Sequence, residues 1–420
     1  MFVDWVHVAP GGAAKPNGFD ARDPGDPSYR WETLDDQVRR AVAEGFIPIV
    51  YVQTAPGWAQ LCAQGTGPCQ PKPSELAGFM TAAARRYSGT YGGLPRVRYW
   101  QIWNEPNLPF YLMPQYDTKG RPASPDWYRS MLNASADAIH SVKNDNVVIA
   151  GGQSPFGPDE KSPDRVAPLA FMRQLLCLSA GKDPKPVCRS RVRFDVWAHH
   201  PYTSGGPMHH ANGKDDVSLP DLWKMKVLLD AAVKTGNLAS RGPVRFWVTE
   251  FAWDTSPPDP KGVPERLHAR WVAEALYRMW SQGVSLVTWF QVRDQPFASG
   301  PFQSGLYFRG ANGIASDTPK LALTAFRFPF VAFWEPKKTI MFWGRSPAGR
   351  GAVLVEQKRQ GAWRVVETVR PNSYGIFSGR FASTARTGFL RARLTNGKDE
   401  ALPFSLVVPP DRPGCSWGTC

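Results

Sequence analysis

Seven short, almost unbroken apolar runs recur along the first 330 positions, at residues 2–10, 46–53, 97–106, 147–152, 194–202, 244–253 and 284–292. They are rich in Val, Ile, Phe, Tyr and Trp, and each is followed by a stretch of helical period. A strand that faces water on one side alternates apolar with polar residues. Continuous hydrophobicity instead marks a parallel strand covered on both faces. Between the runs the helices are legible, as in TLDDQVRRAVAEG (33–45), where Thr33 is the expected N-cap and Gly45 the stop. Repeated strand and helix over this length predicts an α/β protein, and a (β/α)₈ barrel is its natural closure. Seven strands are visible: either one escapes the pattern, or the first βα unit lies upstream of Met1.

The pattern changes after a helix expected over PKLALTAFRFPFVAFW (319–334). From residue 335, GAVLVEQ, AWRVVETV, GIFSGRF, FLRARLT and FSLVVP read as short strands broken by Gly, Asn and Pro. The expected organisation is a barrel over 1–334, a small all-β sandwich over 335–412 packed on its flank, and a short tail over 413–420. Long loops at 57–73 and 204–220 are candidate walls of a site.

Composition sharpens this picture in two places. At 42% hydrophobic over 420 residues the chain can bury a large core, and its 17 Trp serve either that core or sugar stacking, since an apolar pyranose face packs on an indole. The net charge is +14, and residues 335–400 hold thirteen Lys and Arg against five Asp and Glu. No zinc-finger spacing, basic heptad or RNA-binding aromatic motif accompanies that charge, which excludes the familiar nucleic-acid readers and leaves a solvated basic face or attraction to an acidic polysaccharide or cell surface.

The six Cys fall in close pairs, Cys62 with Cys69, Cys177 with Cys188 and Cys415 with Cys420, each in a Gly- or Pro-bearing stretch. Three short disulfide-closed loops and a secreted protein are expected, with buried thiols as the alternative. The N-terminal MFVDWVHVAP lacks the basic and apolar regions of a signal peptide, and no apolar run is long enough to span a membrane.

Chemistry in a barrel of this type belongs to the C-terminal ends of the strands. Those ends carry Asn104 and Glu105; His199, His200 and Tyr202; Thr249 and Glu250; and Trp289, Gln291 and Arg293. Glu105 and Glu250 both close hydrophobic strands. Two acids across one mouth suit glycosidic bond cleavage, one protonating the departing oxygen while the other attacks or activates water. The competing reading makes Glu105 a helix cap or the partner of an Arg. Of the two adjacent histidines one is expected in the core, because neighbours on a strand point to opposite faces. His209 and His210 sit in a Gly-rich loop without carboxylate spacing, so neither metal nor cofactor is expected. GGQSPFG (151–157) lacks the Lys and Ser or Thr of a phosphate loop.

QIWNEPN (101–107), with VTEFAW (248–253) three strands later, resembles the clan A glycoside hydrolases, retaining β-glycosidases on a (β/α)₈ barrel, with families 39 and 5 nearest in character. The resemblance covers roughly residues 2–330 in arrangement, though only the motifs are specific. It implies that Glu105 is the general acid/base on strand four and Glu250 the nucleophile on strand seven. Asn104 would hold the sugar 2-hydroxyl, His200 or Tyr202 would orient the nucleophile, and Trp289 would be the platform under the reactive sugar. A retaining pair stands about 5 to 5.5 Å apart. One departure is plain: the clan builds a strand one and sets an Arg on strand two, whereas this chain begins inside strand two with Asp4 and His7, poor substitutes. The rival expectations are a carbohydrate-binding protein on a glycosidase barrel that has lost turnover, and a surface adhesin acting through its basic β region. Phe110, Tyr111 and Tyr116 either line further sugar subsites or pack their loop.

Overall fold

A computed structural model describes residues 1–62, 69–347 and 351–408. Its centre is one parallel sheet of seven strands in chain order: β1 (Phe2–Asp4), β2 (Ile49–Gln53), β3 (Tyr99–Ile102), β4 (Val147–Gln153), β5 (Val196–His199), β6 (Arg245–Val248) and β7 (Val284–Val287). All seven apolar runs contribute a strand. The central strands β4 and β5 are buried on both faces, which explains their lack of alternation, while β1, β2 and β7 leave residues partly or fully exposed. Val147, Ile149, Val196, Ala198 and Trp247 form one small cluster on one side. Their chain neighbours Val148, Ala150, Trp197, Phe246 and Val248 join a much larger core on the other. That second face is covered by α1 (Glu32–Ala43), α2 (Pro73–Arg86), α3 (Ser124–Val142), α4 (Pro168–Leu175), α5 (Leu222–Thr235) and α6 (Glu265–Ser281). Among the described residues the outer strands of the sheet are β1 and β7, and no ladder joins them.

Three local expectations need correction. The first run stops pairing at Asp4, and Trp5–Val8 turn into one helical turn that buries Trp5 and Val8. The first long helix begins at Glu32 behind Trp31, with no side-chain cap, so Thr33 lies inside it; Gly45 closes it at φ +79°, a conformation that glycine adopts without a Cβ penalty. The helix expected over 319–334 is only α7 (Leu321–Arg327). Pro329 cannot continue a helix and biases Phe328 away from helical geometry, so the aromatic and β-branched FVAFWE that follows becomes strand β8 (Phe330–Glu335).

Strand β8 opens an antiparallel region. It pairs with β9 (Thr339–Arg345), which the sequence reading passed over. The remaining strands are β10 (Val353–Arg359), β11 (Ala362–Val369), β12 (Ile376–Ala382), β13 (Phe389–Leu394) and β14 (Phe404–Ser405). They assemble as two sheets, β8-β9-β12 and β11-β10-β13-β14. Their core takes in Ala269, Val272 and Ala273 of α6. The Arg270 guanidinium stacks 4.0 Å from the Phe404 ring centre and donates to the Ser405 carbonyl, and Trp280 packs on Trp343, so the flank of α6 is joined to these strands by aromatic and cation–π contacts.

Two of the three cysteine pairs, Cys62–Cys69 and Cys177–Cys188, are disulfide-bonded. Cys415 and Cys420, with the rest of 413–420, lie outside the described residues. Among the described residues no helix is long and apolar enough to cross a membrane.

Candidate active site

The peptide after β3 leaves strand geometry abruptly. Trp103 has φ +70° and Glu105 φ +37°, left-handed conformations that non-glycine residues hold only when the surroundings over-determine them. The surroundings do. The Trp103 amide donates to Val52 O of β2 at 3.0 Å and the Glu105 amide to Gly152 O of β4 at 2.9 Å. Asn107, fully buried, donates to Ser154 O and Val166 O and accepts from the Ser154 amide. Gly152 can offer its carbonyl because β4 bulges there: its pairing with β5 shifts register between Gly151 and Gln153. Both glycines have positive φ. A Cβ on Gly151 would fall 2.3 Å from Ala198 O, and one on Gly152 2.7 Å from Gln101 Nε2. GGQ is thus the seat on which Glu105 is set.

Three strand ends converge at this seat. His200, just past β5, reaches Glu105 Oε1 with Nδ1 at 3.1 Å, and the same nitrogen stands 4.0 Å from Glu250 Oε2. Its Nε2 meets Thr249 Oγ1 at 3.3 Å. The Tyr202 hydroxyl donates to Glu250 Oε1 at 2.8 Å. Those two imidazole distances cap the separation of the nearest carboxylate oxygens at about 7 Å, a range that contains the about 5 to 5.5 Å spacing of retaining pairs. Asn104 is buried beside Glu105.

The electrostatics divide the two acids. Burial holds the Glu105 carboxyl above the usual carboxylate range and the charge of Glu250 adds to it, against the opposing pull of His200 and Arg165. His200 is raised as well: burial alone would lower it, and the charges of Glu250 and Glu105 overcome that. Burial thus favours a proton on Glu105, while the neighbouring carboxylates favour one on His200. Tyr202 is pushed far up by burial and then by Glu250, so it stays a phenol and a donor. Tyr51 of β2 is pushed up to about 12, by burial first and then by both glutamates.

The other expected residues fall as follows. His199 is the core imidazole: its Nε2 lies 2.8 Å from Val217 O, and burial lowers it to about 3, so it is neutral. Trp289 is half-buried, packed on Phe251, His268 and Phe326, with its Nε1 donating to Ser304 O. Tyr202, Phe251 and Trp289 form a chain of rings leading from Glu250. Phe110 is exposed and meets Tyr111 edge-on, while the Tyr116 hydroxyl binds Arg165 O. Asp4 and His7 contact each other at 2.5 Å. His210 pairs with Asp221 at 2.9 Å, and among the described residues no three His, Cys, Asp or Glu gather as metal ligands would. Two participants had no sequence signal of their own. Tyr51 looks like any strand aromatic, and Asp254 stands past the last motif residue, yet it lines a pocket that opens beside Glu250.

No protein-family profile matches the chain, and no curated protein matches it. Among solved structures it is similar to a monomeric β-xylosidase from Caulobacter crescentus CB15, with 14% identity, 84% of this chain and 83% of that one covered, and a TM-score of 0.46. It is likewise similar to a glucosidase from Croceicoccus marinus, at 13% identity over 90% and 85% of the two chains with a TM-score of 0.44. A third is a Bacteroides uniformis β-glucuronidase, at 11% identity, of which this chain spans 44% while itself covered over 92%, with a TM-score of 0.40.

Proposed function

We propose that this protein is a secreted retaining β-glycoside hydrolase acting on a polysaccharide, oligosaccharide or glycoside. The observation that carries the reading is one imidazole nitrogen between two strand-end carboxylates, 3.1 Å from Glu105 and 4.0 Å from Glu250, with Glu105 sealed and Glu250 open to a pocket. That division suits an acid and a nucleophile working in one site.

In the proposed reaction a Glu250 oxygen bonds to the anomeric carbon while the bond to the leaving oxygen breaks and the Glu105 proton passes to that oxygen. The covalent intermediate neutralises Glu250. Glu105, now a carboxylate, takes a proton from water as the water oxygen attacks the anomeric carbon and releases Glu250. Tyr202 holds the nucleophile through its 2.8 Å hydrogen bond and His200 bridges both acids. Asn104 is assigned to the sugar 2-hydroxyl and Trp289 to the platform. No step calls for a cofactor.

The seven-stranded parallel sheet supports a (β/α)₈-type catalytic unit, and the antiparallel sheets support an accessory sandwich that begins at Phe330, a few residues before the boundary at 334 that the sequence suggests. The two disulfides support an oxidising, extracellular setting. The basic charge of the accessory strands is offered to acidic polymer or cell surface.

The test is hydrolysis of a panel of aryl β-glycosides by this chain and by Glu250→Gln. Turnover that disappears with the substitution is expected. Turnover unaffected by it, or none on any β-glycoside from a folded wild type, would refute the reading.

A further inference from the structure

The pocket beside Glu250 contains polar groups that the reaction above does not use. It is lined by Tyr202, Glu250, Ala252, Trp253, Asp254, Phe290, Phe302 and Ser304. Most of that lining is aromatic or apolar, suited to a sugar ring, and two groups besides Glu250 break it. Asp254 is 1% exposed; its Oδ1 accepts the Gln303 amide at 2.9 Å, while its Oδ2 has no partner. Ser304 is 3% exposed and its hydroxyl has no partner either. A buried carboxylate oxygen and a buried hydroxyl left unsatisfied at one pocket cost stability unless something in the functional state meets them. Resting on the glycosidase reading, we infer that Asp254 and Ser304 form the recognition pair for hydroxyls of the sugar that reacts at Glu250, and that the pocket selects a neutral sugar over a uronate.

The selection follows from where the positive charge is. None of the lining residues is Lys or Arg. Of the buried basic groups around the pocket, His200 is committed to Glu105, Glu250 and Thr249, and Lys320 spends its three donors on Thr255 Oγ1, Asp294 Oδ1 and Gln303 O at 2.7, 2.7 and 2.8 Å. It has no donor left for a ligand carboxylate. A uronate would enter beside Glu250 and Asp254 with no Lys or Arg among the lining residues to pair with it, whereas hydroxyls need only the two unpartnered groups. Burial pushes the Asp254 carboxyl up to about 7, with Asp259 and Asp294 acting the same way and the Gln303 amide and Lys320 opposing, so it can give as well as accept a hydrogen bond near neutral pH. A purely structural role accounts for Oδ1, which ties residue 254 to residue 303; it leaves Oδ2 and the Ser304 hydroxyl unexplained.

The experiment is calorimetric titration of D-xylose, D-glucose and D-glucuronate at pH 8 into the wild type, Asp254→Asn and Ser304→Ala, with the melting temperature of each variant as the folding control. Asp254→Asn retains an acceptor for the Gln303 amide, and Ser304→Ala leaves the backbone carbonyl that Trp289 uses. At least one neutral sugar is expected to bind about 10-fold or more tightly than glucuronate, and each substitution to weaken it by about 10-fold, as loss of one buried hydrogen bond would. Equal affinity in wild type and both variants, a uronate bound as tightly as the neutral sugars, or no neutral sugar bound at all would overturn the inference. The readout is independent of turnover. Glu250-dependent hydrolysis without any effect of Asp254 would remove the inference alone, and Asp254-dependent binding without hydrolysis would remove the glycosidase reading alone.

Discussion

Glu105 and Glu250 follow strands three apart in the sheet, β3 and β6, and meet the same histidine, yet they live in different surroundings. The Glu105 side chain is 7% exposed, seated on the Gly151-Gly152 bulge with its amide bound to β4. The Glu250 side chain is 27% exposed, held by a tyrosine and facing a pocket. Burial favours the neutral form of the Glu105 carboxyl. In the proposed reaction, two residues of one kind would take opposite tasks from the backbone and neighbours around them.

The comparison can be broken at either end. Removing the proposed nucleophile at the open end should do most harm: Glu250→Gln is expected to lower kcat by on the order of 10⁴-fold with the fold intact, as for other nucleophile deletions, read by aryl glycoside kinetics. Tyr202→Phe deletes only the phenol that donates to Glu250. A hydrogen bond to a charged group contributes about 1.5 to 3 kcal/mol, so kcat should fall by roughly 10- to 100-fold, with KM changed less. At the sealed end, Gly152→Ala places a Cβ against Gln101 at a φ of +59°; the strain of about 1 to 3 kcal/mol should appear as a lower melting temperature and, because the Glu105 seat shifts, as lower kcat.

The smallest effect concerns proton binding. Because the folded pKa of Glu105 is raised, the native state holds its proton more tightly than the unfolded chain does. Its stabilising contribution is complete below the unfolded carboxylate range and fades as pH rises through the folded value. His200, also raised, loses stabilisation in the same direction. Glu105→Gln should therefore raise the melting temperature relative to wild type more at pH 8 than at pH 5, measured by circular dichroism. An equal difference at both pH values would mean that Glu105 is not held protonated by burial.

Which parts were legible follows the physics of each. Glu105 and Glu250 stood out because a carboxylate at the tip of a buried strand contradicts its context. The seven sheet strands stood out as apolar, β-branched and aromatic runs, most continuously where both faces are covered, as in β4 and β5. Residues 330–335 were misread since apolar residues before and after Pro329 carry both periods, and only pairing with β9 decides between them. The Gly151-Gly152 bulge was invisible because its necessity arises from Ala198 and Gln101, contacts set by register across strands. Tyr51 and Asp254 were missed for the same reason: their significance lies in the charges they face, and neither residue type is unusual where it stands.

The most direct measurement of the central claim is trapping. Incubation of the protein with a 2-deoxy-2-fluoro aryl β-glycoside of whichever sugar it hydrolyses, followed by proteolysis and mass spectrometry, should find the fluorosugar attached to the peptide that contains Glu250, with turnover lost in step with labelling. A label on Glu105, or hydrolysis that proceeds with inversion at the anomeric carbon and leaves no covalent adduct, would contradict the division of labour between the sealed and the open carboxylate.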